Sequence, residues 1–280
     1  MIRFFLAFCS LLPLKTNHSF GSFLGRLLYS FNSDAKNVSK KNLEICFPNL
    51  NPVDLQVLLK KVLIETGKNL TESGLIWNQS FKENAKLIRN IYGEHYLENS
   101  KKTILLVPHM GCWEITGRVL AEKRKITFMY RPLRSRKQND YLFARRNQGN
   151  RSMASADKSG ILKIQRALSS GELVGMLPDQ DPGEEGGMMI PFFNKEVNTM
   201  TLLAKLAKKQ NAQVLMFWAN RLDTGKGYDL NFEPVDLSVD GDDIEARVGA
   251  MNKSIESLVR KLPEQYMWSY RRFKSSHSYR

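Results

Sequence analysis

The stretch from Thr103 to Glu114, Thr-Ile-Leu-Leu-Val-Pro-His-Met-Gly-Cys-Trp-Glu, constrains the fold of this chain more than any other. Thr103 to Val107 is apolar, partly β-branched and preceded by the charged pair Lys101-Lys102, which predicts a buried strand. Pro108 ends the strand by removing a backbone donor. His109 then stands at the strand end, and Gly111 permits a tight turn. Cys112 to Glu122 has helical spacing, with Trp113, Thr116 or Gly117, and Leu120 on one side. A strand that ends at a strand–helix junction is where α/β folds present their chemistry.

The junction carries the spacing H-x-x-x-x-E. A neutral imidazole is a competent base near neutral pH, and a carboxylate on its other nitrogen fixes the tautomer and stabilises the imidazolium that forms. The spacing therefore predicts that His109 reaches back to Glu114 on the first helical turn. The plainer alternative is a buried strand-end histidine, with Glu114 a first-turn carboxylate favoured by the helix dipole. Cys112 lies close by, but one Cys near one His has no nucleophile motif behind it.

Lys and Arg number 42 against 28 Asp and Glu, a formal net charge of +14. Such a charge predicts attraction to polyanions: nucleic acid, an anionic membrane face, or an acidic protein. No nucleic-acid motif accompanies it. The cysteines, Cys9, Cys46 and Cys112, have no metal-ligand spacing and fit a reducing compartment without a disulfide framework.

The N-terminus opens with an apolar run from Phe4 to Leu14, too short for a spanning helix, which needs about 20 apolar residues. A second apolar segment, Phe20 to Phe31, carries Arg26 in its middle. Together they predict a pair of interfacial helices with apolar faces in lipid and Arg26 snorkelling; the alternative is two amphipathic helices packed on the domain. Ser33 or Asp34 caps a helix that stops before Pro48, and Asn51 caps another from Pro52. Helical patterning continues to Ile91. Residues 1–95 thus read as an N-terminal helical region with an interfacial membrane anchor, not a separate fold, and residues 96–280 as the catalytic domain.

From Thr103 strands and helices alternate, with further strands at Ile126 to Tyr130, Glu172 to Leu177, Ala212 to Ala219 and Tyr228 to Phe232. A long final helix covers Asp243 to Leu262. The expected fold is α/β, with a mixed, mostly parallel central sheet flanked by helices. Its strand ends collect His109 and Glu114, the cations Arg131, Arg134, Arg136 and Lys137, and the pair Asp179 and Asp181. Arg145, Arg146 and Arg151 add cations suited to phosphate. Each Arg has a solvated surface charge as its ordinary reading, and Asp-Pro-Gly at 181–183 is also plain turn chemistry.

At these residues the chain resembles the lauroyl/myristoyl acyltransferases of lipid A biosynthesis, a branch of the lysophospholipid acyltransferase-like superfamily with an H-x-x-x-x-D/E signature. The resemblance rests on His109-Met-Gly-Cys-Trp-Glu114, Asn42-Leu-Glu-Ile-Cys-Phe-Pro48, Tyr130-Arg131-Pro132, Arg146 before Arg151-Ser152-Met153, Pro178-Asp-Gln-Asp181 with Pro191-Phe-Phe193, and Glu264-Gln-Tyr-Met-Trp268 with Arg271-Arg-Phe-Lys274. These elements run in order across nearly the whole chain. The chain departs from the pattern in its short, broken N-terminal apolar segment and in Ser269-Tyr270.

The resemblance implies an enzyme that moves a fatty acyl chain from acyl carrier protein to a hydroxyl of a 3-hydroxyacyl chain on a Kdo-bearing lipid A precursor. It implies His109 as general base and Glu114 as its partner, with no cofactor and no metal. Arg131, Arg146, Asp179, Asp181 and Gly111 become the candidate substrate-binding residues, Gly111 through backbone donors to an oxyanion. Met188, Met189, Phe192, Phe193 and Trp218 are the candidates for the floor of an apolar acyl tunnel. The implied location is the cytoplasmic face of a bacterial inner membrane, peripheral or shallowly anchored, with anionic lipid as a partner and no nucleic acid. The alternatives are a glycerophospholipid or glycolipid acyltransferase of the same superfamily, or a non-catalytic basic membrane-binding protein.

Overall fold

A computed structural model describes residues 2–98, 101–133, 135–237, 243–276 and 279. The helical start holds α1 (Ile2–Ser10), α2 (Leu14–Ser30), α3 (Asp34–Cys46), α4 (Pro52–Asn78) and the short α5 (Phe81–Ala85). Ser33 caps α3 by accepting from the Lys36 amide, and Asn51 caps α4 by accepting from Asp54, with Pro52 at the first helical position. There follow β1 (Ile88–Tyr92), β2 (Thr103–Leu106), α6 (Trp113–Leu120), β3 (Ile126–Tyr130), α7 (Arg136–Arg146), β4 (Arg151–Ser155), α8 (Lys158–Ser169) and β5 (Leu173–Met176). A hairpin of β6 (Gly187–Phe192) and β7 (Lys195–Met200) leads to α9 (Leu202–Gln210), β8 (Gln213–Arg221), β9 (Tyr228–Pro234) and α10 (Ile244–Lys261).

The central sheet runs β1-β9-β8-β2-β5-β3-β4, parallel throughout except at β8–β9. It is the expected mixed, mostly parallel sheet. The strand β2 shows how it is covered: Ile104 and Leu106 face a core shared with α3, α8, α9 and α10, whereas Leu105 and Val107 face α6 and the end of α4. Three elements differ from expectation. Residues 88–92 are a strand rather than helix, at the sheet edge with four of five residues exposed, so no buried stripe marks the period. Arg151–Ser155 is a strand. Residues 187–200, for which no strand was expected, form the β6–β7 hairpin.

The helix α2 packs with its polar and small residues inward. Asn17, His18, Gly21, Ser22 and Gly25 are buried, whereas Phe23, Leu27 and the following Phe31 are exposed. On α1, Phe4 is 83% and Leu11, just after it, 80% exposed. Glycines let α2 and α4 approach: a Cβ on Gly25 would strike the Leu63 carbonyl, and one on Gly67 the Gly21 carbonyl. No helix among the described residues is long and apolar enough to cross a membrane.

A buried ion cluster ties these helices to the sheet. Arg221, at the end of β8, donates from Nε to Glu72 on α4 (2.9 Å) and from Nη2 to Asn69 (2.6 Å). Its guanidinium also pairs with Glu65 and the second Glu72 oxygen. His18 of α2 lies 3.2 Å from Glu72, and Tyr228 donates its hydroxyl to the same carboxylate (2.9 Å). Burial acts to raise the Glu72 carboxyl, but the Arg221 charge and bonds from His18 and Arg221 hold it at about 2. Arg221 also donates to the Gly111 carbonyl (3.1 Å), so the cluster backs onto the His109 turn.

Gly25→Ala should force α2 off α4 and cost about 1–3 kcal/mol. Thermal unfolding will show a lowered Tm, and limited proteolysis will show cleavage near the N-terminus before the rest of the chain is cut.

Candidate active site

Sheet register brings the first two site residues together. Leu106 of β2 lies opposite Met176 of β5. Three residues beyond each strand position stand His109 and Asp179. The His109 Nδ1 is 2.8 Å from Asp179 Oδ1, and the His109 amide donates to Oδ2 at 2.9 Å. Asp179 is buried. Burial acts to raise its pKa, but the charge of His109 and the bonds His109 makes to it leave it lowered. This corrects the expected pairing of His109 with Glu114.

Glu114 sits on the first turn of α6, but its carboxylate is turned toward α4 and α7. It accepts from Trp77 Nε1 at 2.9 Å and from Arg146 Nε at 3.3 Å, and Arg146 Nη2 closes a tight ion pair with its other oxygen. Arg151 Nη2 stands 3.8 Å away. Burial pushes the Glu114 carboxyl up, the charges of Arg146 and Arg151 pull it down, and hydrogen bonds from Arg146 and Trp77 help to hold it at about 2. Arg151 is itself pushed down to about 10 by burial, against the opposing pull of Glu114.

The C-terminal segment clamps the His109 turn. Met110 forms a bridge with Tyr266, Met267 donates its amide to the His109 carbonyl (3.0 Å), and Gly111 donates its amide to the Gln265 carbonyl (3.0 Å). Gly111 has φ +56°, and a Cβ there would strike the Ala219 carbonyl, so the position demands glycine. The amides of His109, Met110, Gly111 and Cys112 all have acceptors: Asp179, Pro108, Gln265 and Ala219. The expectation that Gly111 offers an oxyanion donor is corrected for this reason. Cys112 is buried, and burial raises its thiol well above the ordinary value, which suits a core residue.

A cavity of about 320 Å³ opens beside His109. Its lining includes the polar His109, Glu114, Arg131, Arg146 and Asp181 and the apolar Trp113, Phe128, Met129, Met153, Leu177 and Met200. The acyl-tunnel candidates do not line it. Phe193 and Trp218 lie in the core, Phe192 packs on Phe273 and Tyr266, and Met189 is exposed. They sit elsewhere because β6–β7 is a separate hairpin and Trp218 points into the α10 side of the sheet. Asp181 is at the cavity rim, accepting from Gly183 N and Asn198 and paired with Lys274 at 3.0 Å. Arg131 is exposed at the same rim. Arg136 and Lys137 begin α7, and Arg134 lies outside the described residues. Trp77 carried no motif and its role at Glu114 had no sequence signal. Among the described residues no group of three His, Cys, Asp or Glu is arranged to hold a metal ion.

A mostly parallel sheet thus ends in a His-x-x-x-x-Glu turn beside a pocket that holds both cationic and apolar side chains. The chain matches the family model of bacterial lipid A biosynthesis acyltransferases over residues 1–275, and it belongs to that family. It is 31% identical over 269 residues to the lipid A biosynthesis lauroyltransferase of Escherichia coli strain K12, covering 94% of this chain and 87% of that one. It is 28% identical over 272 residues to the palmitoleoyltransferase of the same strain, covering 94% and 87%. To that strain's myristoyltransferase it is 24% identical, covering 96% and 84%.

The Glu114 pKa, about 2 against an ordinary 4.5, has a pH signature. A depressed carboxyl stabilises the fold above its unfolded pKa, and that contribution is lost as pH falls from about 4.5 toward 2. Glu114→Gln should therefore flatten the fall in Tm across that window. Scanning calorimetry between pH 6 and about 2.5 checks it; an unchanged slope refutes the ion pair.

Proposed function

We propose that this acyltransferase moves a fatty acyl chain from an acyl carrier protein thioester to a hydroxyl of a 3-hydroxyacyl chain on a Kdo-bearing lipid A precursor. The observation that carries the reading is the His109–Asp179 pair, whose imidazole lines a pocket that holds both cationic and apolar side chains. With Nδ1–H donated to Asp179, Nε2 is left as the base. It takes the proton of the acceptor hydroxyl as the oxygen attacks the thioester carbonyl. The tetrahedral intermediate collapses, the C–S bond breaks, and the imidazolium returns its proton to the leaving thiolate. Asp179 holds the ring and offsets the charge that forms on it, the role first expected of Glu114. Glu114 instead orients Arg146, whose cation faces the pocket and suits the developing oxyanion or a phosphate of the acceptor. Arg131 and Asp181 are at the rim, where a phosphorylated headgroup would lie. A thioester is already activated, so the residues present suffice for a base-assisted transfer.

We place the enzyme at the cytoplasmic face of a bacterial inner membrane. The support is the outward apolar face of α1 and α2 and the net charge of +14, which attracts anionic lipid. Residues 1–95 act as anchor and scaffold, and residues 96–280 carry the chemistry. Acidic acyl carrier protein is the second anionic partner.

Purified protein in detergent, given acyl carrier protein thioesters and the Kdo-bearing precursor, should add one acyl chain by mass. His109→Ala should abolish this while keeping a wild-type Tm. Asp179→Asn should lower kcat by about 10²–10⁴. Normal turnover by folded His109→Ala would end the mechanism. In a separate assay, Phe4→Ser/Phe8→Ser/Phe23→Ser should sediment less with vesicles holding anionic lipid, with Tm unchanged. Equal sedimentation would remove the α1–α2 face from the membrane contact.

A further inference from the structure

We propose that the ring of Phe128 is the floor of the slot that takes the acyl chain, and that it sets the chain length the enzyme accepts. The inference names the donor specificity of the acyl-transfer reading and rests on that reading for its kinetic readout. Phe128 belongs to β3, is buried, and lines the cavity of about 320 Å³ that also holds His109.

Sheet register gives its depth. Phe128 pairs with Met153 of β4 on one side and Gly175 of β5 on the other, and Gly175 pairs in turn with Leu105 of β2. His109 stands four residues beyond Leu105, past the end of β2. Among the lining residues of the central sheet, Arg151 alone starts from a lower rung, opposite Ile126, and its guanidinium reaches up toward Glu114. The rung of Phe128 and Met153 is therefore the bottom of the cavity, and the imidazole stands at its upper end.

Two glycines seat the ring there. A Cβ on Gly117 of α6 would strike its Cε2 and Cζ, and a Cβ on Gly175 would strike its Cδ1 and Cε1. Neither glycine has a positive φ, so what these positions supply is room for the ring. Arg151 lies over the ring at 5.2 Å from its centroid. The same buried cluster continues through Leu105, Ile115 and Leu120, so the space beyond the ring is apolar. The charged groups beside the slot, Glu114, Arg146 and Arg151, are paired with one another. A chain that descends from His109 meets a flat ring that cannot move sideways, whereas its rung partner Met153 is unbranched and can adapt. The end of an apolar slot is where one methylene more or less changes discrimination by about 10- to 200-fold.

The full chain is tested with two substitutions of opposite sign. Phe128→Leu removes the ring and deepens the slot. Gly175→Ala pushes the ring from its seat, and with α6 across its tip the ring yields into the cavity and shortens the slot. Phe217→Leu is the control: Phe217 is buried in the same cluster, stacked on Phe232, and does not line the cavity. Two readouts are taken. One is the product mass when a ladder of saturated acyl carrier protein thioesters competes for the acceptor. The other is binding of the matching S-alkyl-pantetheine thioethers, which carry the chain but cannot transfer it. In Phe128→Leu a donor about two carbons longer than the wild-type optimum should gain roughly 10-fold in kcat/KM relative to that optimum. In Gly175→Ala the preference should move the same way toward shorter chains, and the thioether ladder should follow in both. Phe217→Leu should lower Tm and leave the profile in place. The proposal is overturned if the profile stays put in both slot variants, or if Phe217→Leu moves it equally. A thioether ladder that shifts as expected in protein that transfers no acyl group would sink the acyl-transfer reading and leave the floor standing. Normal transfer with one optimum in every variant would do the reverse, and a wild type that neither binds the thioethers nor transfers would sink both.

Discussion

The buried pair of Arg221 and Glu72 joins the two halves of this molecule. Arg221 ends a central strand, and Glu72 belongs to the longest helix of the N-terminal region. Removing one member of such a pair strands a charge in a dry interior, which costs about 3–5 kcal/mol. The cluster survives because both Glu72 oxygens have donors: Glu72 takes Arg221, Tyr228 and His18, and Arg221 divides its donors among Glu72, Glu65, Asn69 and the Gly111 carbonyl. That last bond matters most for function. It fixes the turn that carries His109 from behind, while residues 265–267 fix it from the side. The imidazole can then be held by one carboxylate, because the backbone beneath it is already held by others.

Two buried carboxylates flank the pocket, and both lie below the ordinary range. Their partners separate them. Asp179 meets an imidazole, a group that exchanges protons, and in the proposed mechanism serves proton transfer. Glu114 meets two guanidinium groups and an indole N–H, which are permanent donors, and in the proposed mechanism serves charge placement. The division resembles other active sites in which two acids take different roles from their surroundings rather than from their residue type.

Much of the fold was legible from the chain. The β2–turn–α6 junction, the alternation after it and the caps at Ser33 and Asn51 follow from local rules that act over a few residues. The edge strand β1 was not, because an exposed edge has no buried stripe to set a period. The His109 partner was not legible either. Spacing along a chain measures reach within one turn, and Glu114 at five residues was the nearer carboxylate. Asp179 stands seventy residues away and becomes adjacent through parallel register between β2 and β5, a pairing that no local pattern encodes. Gly111 was visible as a turn glycine, but not that its amide is consumed by Gln265. Asp179 and Arg146 could be picked out through family resemblance, without their partners.

The N-terminal helices reverse the usual rule of burial. A water-exposed helix turns apolar residues inward; α2 turns in Asn17, His18, Ser22 and two glycines, and leaves Phe23 and Leu27 outside. Close helix contact through small residues and inward polar groups is the pattern of helices whose outer surface meets lipid. The same face reaches toward the pocket. Arg3 of α1 donates to the Lys137 carbonyl of α7 (2.7 Å) and lies over the Tyr141 ring, and the far end of α7 supplies Arg146 to the cavity. None of the residues of α7 is buried, so it is a surface bridge between the apolar helices and the pocket rather than a core element. The proposed membrane contact and the proposed chemistry are therefore linked through α7, which touches α1 near its start and the cavity at its end.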